Sequence, residues 1–317
     1  MKDRFGREIS YLRFSVTDLC NLRCRYCMPA EGVCKLRHEE MLTEDEMIRA
    51  VETAASLGIH KLRITGGEPL VKKNILSICR RAAAVQGIEE VCLTTNGTLL
   101  KDFAEKLRGA GVDRINISLD TLDPEKYADM TLGGRLQDAL EGIEAALGAG
   151  FKKVKINTVL IGGFNEDEIP ALAGLTRRWP ADVRFIELMP MPGQAGFSRT
   201  SFIADTRVTE ILPELQPVKQ RDGVAKLWRL PDAKGNVGLI SPVFDTFCKR
   251  CNRIRLTADG KLKPCLHSAE EHPIKGLSPE QVREQFIRAI QGKPECHGQL
   301  SCSETSRSER SMHAIGG

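Results

Sequence analysis

The chain has 317 residues, 41% hydrophobic, 28% charged and 5% aromatic, so it can bury a sizeable core and is neither a disordered nor a fibrous sequence. Its net charge of +4 is spread along the chain, short of the concentrated basic footprint of a non-specific nucleic-acid binder, and no apolar run nears the ~20 residues of a membrane span. Met1, Lys2, Asp3 and Arg4 carry charge where a signal peptide would be apolar; the expected compartment is the cytoplasm, where 11 cysteines point to metal or redox chemistry rather than disulfides.

Short β-rich runs alternate with helical segments over residues 11–190. The first strand is expected at Leu12–Val16 and is followed by a helix capped by Thr43, with Glu46 closing a capping box, Met47, Val51 and Ala54 as its apolar stripe and Gly58 past its end. Strands are then predicted at Lys61–Thr65, Val91–Thr95, Arg114–Leu119, Val154–Leu160 and Val183–Leu188, with helices near 72–86, 99–109, 136–148 and 166–178. Six such units predict an α/β fold, an incomplete (β/α)6 TIM-like barrel whose ligands lie at the C-terminal ends of its strands. The alternation lapses after Met189-Pro190-Met191-Pro192-Gly193, which divides the chain into a barrel over 1–225 and a small C-terminal domain with a tail over 226–317. By composition alone the polar, Ser- and Arg-rich end from Cys302 to Gly317 is a frayed tail.

Cys20, Cys24 and Cys27 form a C-x3-C-x2-C array directly after the first strand. Three thiolates on one short loop suit three irons of a four-iron, four-sulfur (4Fe–4S) cubane, leaving the fourth iron open to a small molecule. Zinc fits a three-thiolate loop without a nearby histidine poorly. Gly66-Gly67-Glu68-Pro69 follows the second strand, where glycines let backbone approach a ligand. A second set, Cys248, Cys251 and Cys265, is C-x2-C-x13-C. Locally it suits either zinc, completed by His267, Cys296 or Cys302, or a second cluster with one open iron.

Arg253 and Arg255 alternate beside that set, so on a strand both guanidiniums share one face, as Lys61 and Arg63 do on the second strand. Arg13, Lys155 and Arg184 add charge to other strands. Any one of these is ordinary surface charge, but cations repeated within otherwise apolar barrel strands imply an anionic substrate such as a nucleoside triphosphate. Cys79 and Cys92 read as buried apolar thiols, and Cys34, Cys296 and Cys302 as candidate reactive thiols.

The first array with Gly66-Gly67-Glu68-Pro69 resembles the signature of radical S-adenosylmethionine (SAM) enzymes. Together with the second set, Arg253, Arg255 and the terminal Gly316-Gly317, the chain resembles the GTP 3′,8-cyclases from Arg13 to Gly317. The resemblance implies two 4Fe–4S clusters, one on Cys20, Cys24 and Cys27 with SAM contacted by Tyr26, Gly67, Ser118 and Met189, and an auxiliary one on Cys248, Cys251 and Cys265 that ligates guanine. It implies GTP contacts at Arg13, Arg63, Thr94, Lys155, Arg253, Ile254 and Arg255, with Lys61 and Arg184 as further candidates, and a catalytic role for Arg13, Arg253 and Arg255. It also implies that the diglycine tail reaches into the active site, against the frayed-tail reading.

The implied reaction splits SAM with one electron, takes hydrogen from the ribose C3′ of GTP and closes C3′ onto C8, giving (8S)-3′,8-cyclo-7,8-dihydroguanosine 5′-triphosphate, the first step of molybdenum cofactor biosynthesis. The implied partners are a reducing electron donor and the next enzyme, cyclic pyranopterin monophosphate synthase; neither membrane nor nucleic acid is expected, and a homodimer is the candidate assembly. The alternative is another radical SAM enzyme with an auxiliary cluster, such as a peptide-modifying maturase, which would need fewer inward cations. A metal protein that binds nucleic acid would need a basic stripe interleaved with aromatics.

Overall fold

The computed structural model describes residues 1–317 apart from 30, 34–35, 193, 195–196, 220–222, 299, 301–304, 317 and the side chain of Arg199. Six parallel strands pair in sequence order: β1 (Tyr11–Ser15), β2 (Lys61–Thr65), β3 (Glu90–Thr95), β4 (Arg114–Ser118), β5 (Lys153–Leu160) and β6 (Asp182–Glu187). Their bounds fall within a residue of those predicted, because buried Val, Ile and Leu runs leave little choice. Helices α1 (Glu44–Ser56), α2 (Ile75–Ala83), α3 (Leu100–Gly109), α4 (Pro124–Thr131), α5 (Leu136–Gly148) and α6 (Ile169–Arg178) return the chain between strands. The capping box of α1 forms, with Thr43 Oγ1 accepting from the Glu46 N–H and the Glu46 carboxylate accepting from the Thr43 N–H; Met47, Val51 and Ala54 are buried.

Helix α4 is absent from the predicted elements. Its start is nonetheless written in the sequence: Asp123 accepts from the Glu125 and Lys126 N–H groups, and Pro124 is its first residue. The helix matters for the site, because the Arg23 and Arg25 N–H groups of the cysteine loop donate to the carbonyls of Thr131 and Met130 at its end.

The C-terminal third extends the same open sheet at both edges. After α7 (Thr206–Ile211), β7 (Gln216–Pro217) and β8 (Lys226–Arg229) lead antiparallel into β9 (Val237–Ile240), which pairs parallel with β6. At the other edge β10 (Arg253–Leu256) pairs parallel with β1 and is followed by antiparallel β11 (Lys261–Lys263) and β12 (His272–Pro273). Helix α8 (Pro279–Gln291), capped by Ser278 and Gln281, packs on α1, and α9 (Met312–Ile315) lies in the tail. Ile254, Leu256 and Phe286 join Leu12, Phe14 and Phe185 in one apolar cluster, each large side chain contributing about 1.5–3 kcal/mol on burial.

Candidate active site

The residues around the barrel mouth are set by backbone contact between the first two strand ends. Gly67 N–H donates to the Thr17 carbonyl and Glu68 N–H to that of Leu19, just before Cys20. A Cβ on Gly67 would stand 2.4 Å from Leu19 O, so the pairing requires glycine. Cys20, Cys24 and Cys27 then follow on one loop, with the Leu22 N–H donating to Cys20 Sγ at 3.4 Å.

Burial pushes the Cys20 thiol up to about 11 and the Cys27 thiol up to about 12, and raises Cys24, with the neighbouring Cys27 as a further cause. Thiols so held become thiolates beside strongly positive iron, the partner this loop suits. Among the described residues no three His, Cys, Asp or Glu side chains gather as round a single metal ion; in a cubane each thiolate binds a different iron. Cys24, Tyr26, Asn96, Ser118 and Asp120 line a pocket beside the loop. Tyr26 OH donates to Asp120 Oδ2 at 2.8 Å, and Gln194 Nε2 bridges the Tyr26 and Met189 carbonyls. The proposed SAM contacts Tyr26, Ser118, Gly67 and Met189 thus border the cysteine loop.

Three buried carboxylates stand at alternate strand ends: Glu68 belongs to the Gly66-Gly67-Glu68-Pro69 motif, whereas Asp120 and Glu187 are not among the sequence candidates. After β2, Glu68 accepts from Thr95 Oγ1 and the Asn96 and Leu70 N–H groups; after β4, Asp120 accepts from Tyr26 and the Val159 N–H; ending β6, Glu187 accepts from Ser241 Oγ and the Asp205, Val243 and Phe244 N–H groups. Burial pushes Glu68 up to about 7 and Asp120 up to about 6. For Asp120 and Glu187 the available signal was a carboxylate at or just past the end of an apolar strand.

Inside the barrel the register aligns cations in rows. Arg255, Arg13 and Arg63 are successive partners across β10, β1 and β2, while Arg253, Tyr11, Lys61 and Glu90 form the adjacent row. Arg13 lies well below the usual guanidinium range through burial and the charges of Arg255 and Arg63; Arg255 falls to about 10 through burial and Arg253. Burial and Arg184 bring Lys155 down to about 6, and burial and Arg63 bring Arg184 to about 10. Such mutual repulsion is relieved by a polyanion. Arg184 Nε, Arg253 Nε, Asn116 Oδ1 and Asn157 Oδ1 are buried without a hydrogen-bond partner among the described residues, as polar ligand groups would require.

The other candidates differ in what they offer. Arg63 Nη1 donates to Thr94 Oγ1 at 3.0 Å and Arg63 Nε to Tyr11 OH. Arg253 lies 5.3 Å from the Phe247 ring centroid and 5.9 Å from that of Tyr11. Lys61 pairs with Glu90, which also binds Arg114, so its charge is partly satisfied. Ile254 turns into the apolar core beside Leu12, its register partner on β1.

The second thiol set flanks β10. A short turn, Cys248–Arg250, leads into Cys251, and Cys265 follows β11. Arg7 Nη1 donates to the Cys248 carbonyl at 2.8 Å and Arg7 Nη2 to that of Pro294 at 2.7 Å. His267 spends Nδ1 on Ser306 Oγ, and Cys296 is exposed; Cys34 and Cys302 lie outside the described residues. Cys79 and Cys92 are buried, as expected.

The tail is ordered by specific contacts. Arg310 donates twice to Asp259 and twice to Glu271. Beyond that clamp, the His313 N–H faces the Cys27 sulfur, and the Gly316 carbonyl accepts from Arg13 Nη2 at 3.2 Å and Arg255 Nη1 at 2.9 Å. Gly316 has φ +73°, and a Cβ there would lie 2.2 Å from Thr65 Oγ1. The frayed-tail reading from composition is therefore corrected: residues 305–316 return to the barrel mouth, because half-buried ion pairs hold a segment whose polarity suggested solvent. Gly317 lies outside the described residues.

Residues 14–176 match the radical SAM superfamily and residues 181–299 the family Molybdenum Cofactor Synthesis C. The chain is 48% identical over 321 residues to GTP 3′,8-cyclase of Alkaliphilus metalliredigens (strain QYMF), covering 100% of both chains, and 47% identical to that of Alkaliphilus oremlandii (strain OhILAs), again over 100% of both. Its fold is similar to Streptococcus suis SuiB, with TM-score 0.67 at 15% identity over 90% of this chain and 67% of that one. It is also similar to anSMEcpe with bound AdoMet, with TM-score 0.59 at 13% identity over 96% and 92%. No helix among the described residues is long and apolar enough to cross a membrane.

Proposed function

This chain belongs to the GTP 3′,8-cyclase family of radical SAM enzymes, and we propose that Cys20, Cys24 and Cys27 hold its SAM-activating cluster while Cys248, Cys251 and Cys265 hold a second cluster beside the substrate. Its activity is the conversion of GTP to (8S)-3′,8-cyclo-7,8-dihydroguanosine 5′-triphosphate, the first step of molybdenum cofactor biosynthesis. The 4Fe–4S cluster and SAM supply the radical chemistry when bound.

The observation that carries the residue assignment is the row Arg255, Arg13, Arg63, which crosses the barrel from the strand following Cys251. In this reading Arg13, Arg63, Lys155 and Arg184 hold the triphosphate, Thr94 steadies Arg63, and Lys61 contributes beside its Glu90 partner. Arg253 and Arg255 orient the guanosine, with the Ile254 backbone between them; Tyr26, Gly67, Ser118 and Met189 contact SAM. Residues 1–225 act as the SAM barrel and 226–317 as the carrier of the second cluster. An electron donor and the enzyme that consumes the product complete the proposed partners. The buried cations favour this reading over a peptide-modifying maturase, and the likeness to SuiB concerns the fold alone.

Iron and sulfide counting after anaerobic reconstitution tests it. About eight irons per chain are expected from four per cluster. Cys248→Ala combined with Cys251→Ala should leave about half, with SAM still cleaved but no cyclised product. Zinc in the second set, or full iron retained by that variant, would overturn the assignment.

A further inference from the structure

Lys293 stands just beyond the end of α8 and is 3% exposed. A buried lysine is rare unless it is paired, yet among the described residues no carboxylate lies within ion-pair distance of its ammonium. Nζ donates instead to the carbonyls of Arg253 at 2.8 Å and Pro264 at 2.9 Å, which lie two residues after Cys251 and one before Cys265. It also hydrogen-bonds the Cys251 sulfur.

We propose that Lys293 is the positioning residue of the second cluster, tying the Cys251 and Cys265 strands into one chelating unit and supplying the buried positive charge that eases the cluster's one-electron reduction. The inference rests on the two-cluster reading above. An ammonium has three N–H groups; two fix the strands and the third meets a sulfur. The anion that this charge lacks in the protein is the cluster with its thiolates, and a cation beside such a cluster favours the state carrying one more negative charge.

The test uses full-length chain with Cys20→Ala, Cys24→Ala and Cys27→Ala, so that the second set is the iron site, and compares it with the same chain carrying Lys293→Met or Lys293→Arg. Iron content and the midpoint potential from an anaerobic titration followed by electron paramagnetic resonance are read. Lys293→Met should either lose most of the iron or shift the reduction equilibrium at least tenfold toward the oxidised state, about 59 mV more negative for one electron. Lys293→Arg should restore both. If Lys293→Met lacks a cooperative thermal transition, Lys293→Gln, which keeps a donor but no charge, is judged by the same criteria. Parental iron content with an unshifted potential would overturn the role of Lys293 and leave the two-cluster reading standing. Absence of iron from the parent itself would overturn both.

Discussion

Arg255 and Lys155 show how crowding decides what one side chain can do. Arg255 sits in a row of guanidiniums and donates to Gly316 O, so in the proposed site it would serve the tail and the anionic substrate together. Lysine keeps the charge but removes the planar fork. Arg253→Lys or Arg255→Lys should therefore lower cyclised product roughly ten- to a hundredfold, from charge-assisted hydrogen bonds of about 1.5–3 kcal/mol each. Near-normal product in both variants, with iron content intact, would remove the pair from the site. Lys155 is lowered to about 6 by burial and Arg184, so if it holds the triphosphate as proposed it would take up a proton on binding near neutral pH. Affinity for GTP should fall as pH rises above about 6, and Lys155→Met should flatten that dependence when Kd is measured from pH 6 to 8.5.

At the scale of elements the tail behaves as a strap fastened at Arg310. Burial raises Asp259 and Glu271, but bonds to Arg310 outweigh it and hold both carboxylates below their ordinary values. A lowered carboxylate stabilises above its unfolded value, about 4, and loses that contribution as pH falls through its folded value. Arg310→Met should release residues 305–316, raising their hydrogen-exchange rate at neutral pH at least tenfold and lowering cyclised product with iron content unchanged. In acid the protection in the two proteins should converge, since the parent's clamp is then lost as well. Equal protection at neutral pH would show that Arg310 does not fasten the tail.

For the whole molecule, residues 226–317 finish a sheet begun by residues 11–187. Strands β9 and β10 cover the outer edges of β6 and β1, and Phe286 and Ile290 share the barrel's apolar cluster. A chain ending at residue 225 leaves both edges unpaired and that apolar surface wet, a state prone to association. Size-exclusion chromatography of this fragment should give aggregate rather than a folded monomer. A monomer with a cooperative thermal transition would mean that the two parts fold independently.

Local chemistry was legible in the sequence: the cysteine spacing, the six strands and the α1 capping box each depend on residues adjacent in the chain. The alternation of Arg253 with Arg255 likewise forecast a shared face, because strand side chains repeat every two residues. Helix α4 is also readable from its N-cap Asp123 and first residue Pro124, though it is not among the expected elements. Tertiary structure alone decided which strands meet, since register pairs residues far apart in sequence: Arg13 beside both Arg63 and Arg255, Gly67 under Leu19, and Lys293 between the strands of Cys251 and Cys265. It also decided the fate of the tail, whose polar composition suits solvent and half-buried ion pairs equally until Asp259 and Glu271 come within reach of Arg310.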